Sequence, residues 1–349
     1  MRDITYRLPA EWEPQSGVQL TWPHRDTDWA PMLDEVLTVY HAMAREISRR
    51  EPLLVVAPEG GAPGMVHVTC PTNDTWARDH GFITLVPQNA EGEQGEALLL
   101  DFCFDGWGGK FQSGLDNAIN RRLFDVGAVK GKYTDHLDFV LEGGSIESDG
   151  KGTVFTTSSC LLDPHRRGGD LEGLPVADAK AHVEAKLCKW LCAERVLWID
   201  HGCLAGDDTD GHIDTLVRIC PDDTLLYVAC DDPADEHYRE LQLMEEQLRT
   251  FRTTDGRPYR LLPLPLPHPV YDSGTADRLP ATYANFLVVN GAVLVPTYAQ
   301  PELDAEAMRI VGKAFPGRDI VGINCRPLVR QHGSLHCCTM QFPEGVLQS

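Results

Sequence analysis

Two kinds of apolar pattern alternate along this chain. Short unbroken apolar runs occur at 17–22 (GVQLTW), 53–57 (LLVVA), 81–86 (GFITLV), 97–102 (ALLLDF), 137–142 (LDFVLE), 153–157 (TVFTT), 195–199 (RVLWI), 214–219 (DTLVRI), 224–229 (TLLYVA), 285–289 (NFLVV), 292–298 (AVLVPTY) and 320–324 (IVGIN). Runs of this length and composition predict strands. Elsewhere apolar positions return every three or four residues, over 32–50, 115–126, 177–192, 233–250 and 302–315. That period predicts amphipathic helices. The last four helices lie roughly 55 to 70 residues apart, with about two to four strands between them, which points to a repeated strand–strand–helix–strand unit in a ring or array. An ordinary three-layer α/β fold fits the same pattern. The Pro-rich stretch LLPLPLPHPVYDSG at 261–274 reads as a surface loop.

Composition narrows the function classes. The chain has 349 residues, 42% of them hydrophobic, enough for a sizeable core. Its formal net charge is -21. That balance argues against nucleic acid and anionic membrane surfaces, and it suits a cationic partner. No run is long and apolar enough for a signal peptide or a spanning helix. The 11 cysteines are scattered, which fits free thiols in a reducing cytoplasm. Cys188 and Cys192 have no second pair at zinc-finger spacing, and read as one face of a helix. Homo-oligomer formation stays open.

Chemistry concentrates where polar groups crowd against predicted strands. PTNDTWARDHG (71–81) holds Asp74, Trp76, Arg78, Asp79 and His80. LEGGSIESDGKG (141–152) places Glu142 before two glycines, and GDDTDGHIDTLVRI (206–219) places His212 and Asp214 two apart at the start of a predicted strand, on one face. RQHGSLHCCTMQF (330–342) carries the adjacent Cys337 and Cys338. Singly, each has an ordinary reading as turn, cap or core. Together they supply two carboxylates, a histidine, a further acid and a thiol. Carboxylates pair with planar guanidinium groups. A thiolate can attack the central guanidinium carbon, and an imidazole can protonate the leaving nitrogen and then activate water. The set therefore fits guanidine hydrolysis through a covalent thiouronium. A cysteine protease has less use for the paired carboxylates, and no metallohydrolase ligand spacing appears.

The chain resembles the agmatine deiminases of the bacterial-type peptidylarginine deiminase family, within the pentein superfamily. The resemblance runs through LPAEWEPQSGVQLTWPH (8–24), NDTWARDHG, LEGGSIESDGKGTVFTTSSCLL, GDDTDGHID, PATYANFLVVNGAVLVPTY (280–298) and HGSLHC (332–337). It implies a single catalytic domain over 1–349: an α/β pentein propeller of five ββαβ units with pseudo-fivefold symmetry. It implies that Asp79 and Asp214 hold the guanidinium, that His212 is the general acid and base, and that Glu142 orients His212 or touches the guanidinium. It selects Cys337 as the nucleophile. Strand alternation agrees that only one of Cys337 and Cys338 can face a site. Trp76 is expected to wall the pocket. Asp207 and Asp208 are candidates for a distal ammonium, their other reading being a solvated loop. The expected substrate is agmatine, a small guanidino cation, with no metal and no organic cofactor. The alternatives are a peptidyl- or free-arginine deiminase, an amidinotransferase and a guanidine-binding protein. Three departures from the family pattern bear on how the rest of the substrate is held: Gln331-His332-Gly333-Ser334 before the terminal motif, Phe82 after Gly81, and Glu147.

Overall fold

In the computed structural model, which describes residues 5–59, 65–88, 95–167 and 171–348, one small unit recurs. Two antiparallel strands are followed by a helix and by a strand parallel to the second. Leu98–Cys103 pairs antiparallel with Ile83–Pro87 and parallel with Lys132–Val140, across the helix Ile119–Asp125. Thr153–Thr157 does the same with Ile146–Ser148 and Arg195–Ile199, across Val176–Leu191. Thr224–Ala229 does so with Val217–Cys220 and Arg260–Pro265, across Tyr238–Thr250. Ala292–Thr297 does so with Leu287–Val289 and Asp319–Asn324, across Pro301–Ala314. The fifth unit closes the chain on itself. Its centre, Gln15–Thr21, pairs antiparallel with the C-terminal strand Thr339–Pro343 and parallel with Leu53–Ala57, across Leu33–Ser48.

The local chemistry explains the unit. A parallel pair needs a crossover, and a helix supplies it. Leu53–Ala57 and Thr153–Thr157 are buried along their whole length, as strands covered on both faces must be. The helix Leu33–Ser48 buries Val36, Val39, Tyr40, Met43, Ala44 and Ile47, one stripe at the three- and four-residue spacing. No helix among the described residues is long and apolar enough to cross a membrane.

Two expectations need correction. The Pro-rich loop begins as a strand, Arg260–Pro265, at the edge of its sheet. Pro263 and Pro265 alternate, so their missing N–H groups fall on one side and the edge tolerates them. The predicted strand at 214–219 begins only at Val217, because Ile213–Thr215 forms a 3₁₀ turn. That turn is one of a set. Ala77–His80, Gly143–Ser145 and His336–Cys338 are also short helical turns, and each feeds the first strand of a unit. A fifth turn, at 283–284, precedes Leu287–Val289. These turns touch one another: Thr282 Oγ1 donates to the Thr215 carbonyl at 3.0 Å, and His336 N donates to Asn285 Oδ1 at 2.9 Å.

Candidate active site

The linked turns bring Asp79, Glu142, His212, Asp214 and Cys337 into one buried cluster, none of them more than 4% exposed. The point of convergence is marked by Gly144. A Cβ there would lie 2.6 Å from His212 Nδ1, 2.9 Å from Asp79 Oδ1 and 3.2 Å from Asp214 Oδ2. Only glycine leaves room for three functional groups from two other turns. Both ring nitrogens of His212, Asp214 Oδ1 and Glu142 Oε2 have no hydrogen-bond partner within the protein. Buried polar atoms are nearly always paired, so this concentration identifies groups shaped for a ligand.

Each group is held by its neighbours. Asp79 accepts from Trp107 Nε1 at 3.0 Å and from the Gly144 amide at 3.1 Å. Asp214 Oδ2 lies 2.7 Å from His336 Nδ1, and His336 Nε2 lies 2.7 Å from Glu11 Oε1. Glu11 also pairs with Arg78 at 3.1 Å and Arg218 at 2.7 Å. One oxygen of Asp214 is thus anchored from below while the other stays open. Glu142 Oε1 accepts from Arg166 Nε at 2.9 Å, and its Oε2 lies 3.9 Å from His212 Nε2. His212 Nδ1 faces the other way, 3.6 Å from Asp79 Oδ1. Glu142 therefore stands behind the imidazole, where it can orient the ring. Asn285 Nδ2 donates to Cys337 Sγ at 3.3 Å, and Cys337 Sγ lies 3.9 Å from Asp214 Oδ2.

The charges are unequal in an informative way. Burial pushes the Asp79 carboxyl up to about 6, with His212 opposing and the Asp214 and Glu142 carboxylates adding to the rise. Burial acts the same way on Asp214, but His336 outweighs it and holds that carboxyl below its ordinary value. Burial would raise Glu142, yet His212 and Arg166 bring it down to about 2. Burial disfavours the imidazolium of His212, but the neighbouring acids, Asp79 foremost, hold its pKa well above the usual value. Burial and then the carboxylates of Asp214 and Asp79 push the Cys337 thiol well above its ordinary value. A guanidinium seated between those carboxylates would cancel their charge at the sulfur.

A pocket opens onto Asp79 and Cys337. Its walls include Trp76, Trp107, Phe111, Asp28, Asp74, Asp208 and His332. Trp76 is buried against the backbone of Gly333, where a Cβ would come within 2.1 Å of the indole. Of the two loop acids expected to face a distal ammonium, Asp208 lines this pocket and Asp207 does not. The Asp207 carboxylate is spent inside its own loop, accepting from the Thr209 amide at 3.0 Å, Thr209 Oγ1 at 2.6 Å and the Gly211 amide at 2.6 Å. Asp74, read from sequence as a turn residue, instead stands in the pocket wall, accepting from Trp76 Nε1 at 3.0 Å. Asp116 does the turn's work, accepting from the amides of Asn73 and Asp74. Arg78 is committed to Glu11 and Gln341 and is not among the pocket's lining residues.

Cys337 and Cys338 both lie in the 3₁₀ turn rather than in a strand. Strand alternation therefore does not separate them, but the turn does. Cys337 reaches the pocket while Cys338 is fully buried elsewhere. Asn285, Arg166 and Trp107 do not stand out in the sequence, and His336 stands out only as the neighbour of Cys337. The only available signal was that PATYANF precedes a predicted strand, as the other polar segments do. Glu142, Cys160 and His212 form the one group among the described residues that could converge on a metal ion.

A sequence model of the Porphyromonas-type peptidyl-arginine deiminase family matches residues 7–343. The chain is 31% identical over 371 residues to an agmatine deiminase of Pseudomonas aeruginosa (strain LESB58), covering 97% of this chain and 95% of that protein. A Cys-to-Ser variant of the C. jejuni agmatine deiminase, solved with substrate bound, superposes with a TM-score of 0.88 at 35% identity, over 100% of this chain and 99% of that one. A Porphyromonas gingivalis protein, solved under a provisional assignment as an arginine deiminase, superposes with a TM-score of 0.88 at 48% identity, over 99% and 100% of the two chains.

Proposed function

The chain belongs to the Porphyromonas-type peptidyl-arginine deiminase family, and from that premise we propose that it is an agmatine deiminase, hydrolysing agmatine to N-carbamoylputrescine and ammonia. The observation that carries this reading is a buried Cys–His–carboxylate cluster at the end of a pocket whose walls hold Asp28, Asp74 and Asp208 and no lysine or arginine. A distal ammonium is attracted by those walls, while an α-carboxylate would meet like charge. Lys110, which reaches the backbone of the lining residue Asp208, is occupied by that carbonyl and by Asp210, each at 2.8 Å.

In this mechanism Asp79 and Asp214 grip the planar guanidinium and place its carbon against Cys337. With the guanidinium's charge beside it, the Cys337 thiol gives its proton to solvent, and the thiolate, supported by the Asn285 amide, attacks that carbon. His212 delivers a proton through Nδ1 to the leaving nitrogen, and ammonia is released. The same nitrogen then takes a proton from water, which attacks the thiouronium and frees Cys337. Glu142, fixed by Arg166, keeps the ring aligned from behind. The five strand–strand–helix–strand units are the blades of a pentein propeller around a pseudo-fivefold axis, forming one catalytic domain over 1–349. The pairing of the C-terminal strand with Gln15–Thr21 supports this arrangement. The free state of all 11 cysteines supports a reducing, cytoplasmic setting.

Free or peptidyl arginine is the second reading, favoured by the assignment under which the P. gingivalis relative was solved. Turnover of agmatine, arginine and a blocked arginine peptide, each without an acceptor amine, separates the two. Agmatine is expected to have the highest kcat/KM, and faster turnover of either arginine substrate would reverse the assignment. Release of ammonia without an acceptor also distinguishes hydrolysis from amidino transfer.

The carboxylates give a further test. An Asn at 79 or 214 keeps the shape but removes charge and turns one acceptor into a donor. Truncating one side of a buried charged pair costs about 2–5 kcal/mol. Asp79→Asn and Asp214→Asn should each lower kcat/KM by roughly 30- to several-thousand-fold, at ~1.4 kcal/mol per tenfold. Because Asp79 must be ionised to hold a cation and titrates at about 6, wild-type kcat/KM should fall as pH drops through that value. A flat profile down to pH ~5 would remove Asp79 from the role.

A further inference from the structure

We propose that Glu142, Cys160 and His212 form a binding site for a soft divalent metal ion, Zn²⁺ in particular, and that an ion held there stops catalysis. The site lies on the far side of the His212 ring from the substrate. Nδ1 faces Asp79 at 3.6 Å, whereas Nε2 faces Glu142 Oε2 at 3.9 Å. One donor atom from each of Glu142, Cys160 and His212 lies within 4.8 Å of the others. All three residues are fully buried. The ring nitrogens of His212 and Oε2 of Glu142 have no partner within the protein. Arg166 occupies only the other oxygen, Oε1, and leaves Oε2 available.

Cys160 has no part in the proposed reaction. It lies on the short helix Ser158–Leu161, which follows the strand Thr153–Thr157. Its position beside an imidazole and a carboxylate completes a sulfur, nitrogen and oxygen donor set of the kind zinc takes. Zinc bonds of about 2.0–2.3 Å let two donors share an ion across roughly 4 Å, so modest side-chain shifts close the site. Binding replaces the thiol proton of Cys160 with a metal–sulfur bond and the Nε2 proton of His212 with a metal–nitrogen bond. Both protons pass to solvent, and nothing is oxidised or reduced.

The consequence is specific. With Nε2 metallated, the ring cannot cycle between its acid and base forms at Nδ1. Asp79, Asp214 and Cys337 stay open, so substrate still binds. Zn²⁺ at this site should lower kcat while leaving KM within about twofold. An ion captured instead by Cys337 would compete with substrate and raise KM. The loss of turnover rests on the function proposed above, but the coordination does not.

Cobalt(II) is the probe that separates the two. Added to the purified protein, it should give a thiolate-to-cobalt charge-transfer band in wild type and in Cys337→Ala. The band should be absent in Cys160→Ala and in the near-isosteric Cys160→Ser, which guards against a folding failure in the first variant. In parallel, both Cys160 variants should keep agmatine turnover and need about tenfold or more Zn²⁺ for half inhibition. A band that survives in folded Cys160→Ser and disappears in Cys337→Ala would overturn the site, as would zinc inhibition that acts on KM alone. The expected band in a protein that does not turn over agmatine would leave the metal site standing and remove the proposed function.

Discussion

Cys337→Ala should abolish turnover, by roughly 10⁴-fold or more, while Cys338→Ala keeps most of it. The two thiols are adjacent in sequence and sit in the same turn, yet their surroundings differ. Cys337 reaches the pocket, receives a hydrogen bond from Asn285 and lies 3.9 Å from Asp214. Cys338 is fully buried outside the pocket lining, and truncating it removes one buried heavy atom, a loss of about 1 kcal/mol of packing. A comparison of kcat for the two variants, with circular dichroism to show that both fold, decides the matter. A Cys337→Ala enzyme that turns over normally would require a different nucleophile.

His212→Ala should lose roughly 10²–10⁴-fold in kcat, the usual contribution of a placed proton-transfer group. In the proposed reaction its imidazole hands over a proton and takes one back. The surrounding acids, with Asp79 foremost, keep its pKa well above the ordinary value despite burial. In the proposed reaction it therefore starts as the acid. The alkaline limb of the kcat profile should belong to this ring and should vanish in the variant. Equal turnover and an unchanged pH profile in folded His212→Ala would exclude it.

The readable part of the fold was the part made by unbroken apolar runs. The strands at 53–57, 153–157, 195–199 and 224–229 were placed to the residue, because each is a continuous apolar or β-branched run at the centre or side of a buried sheet. The strands not foreseen are edge or outer ones with mixed composition. Val66–Thr69, Ile146–Ser148 and Arg260–Pro265 carry a histidine, a glutamate or prolines among their apolar residues. Their pairing comes from neighbours and not from their own pattern.

The site divides in the same way. Asp79, Glu142, His212, Asp214 and Cys337 stood out because charged groups pressed against strand starts. His212 and Asp214 are neighbours through a 3₁₀ turn and not through one strand face. The supporting residues could not be read this way. Asn285 reaches Cys337 across 52 positions, Arg166 reaches Glu142 across 24, and Glu11 reaches His336 across 325. Nothing local distinguishes such residues from ordinary polar ones. Asp207 and Asp208 show the converse, as neighbours in sequence with separate fates: one folds back into its loop and the other faces the pocket.

The central claim is that hydrolysis passes through a covalent bond to Cys337. Acid quenching of the enzyme during turnover of agmatine alone, followed by mass spectrometry of its peptides, tests that bond directly. The account predicts an amidino adduct on the peptide carrying Cys337, located on that sulfur and lost again once substrate is exhausted. Steady product formation with Cys337 unmodified at every quench time, or with the adduct on another cysteine, would contradict it.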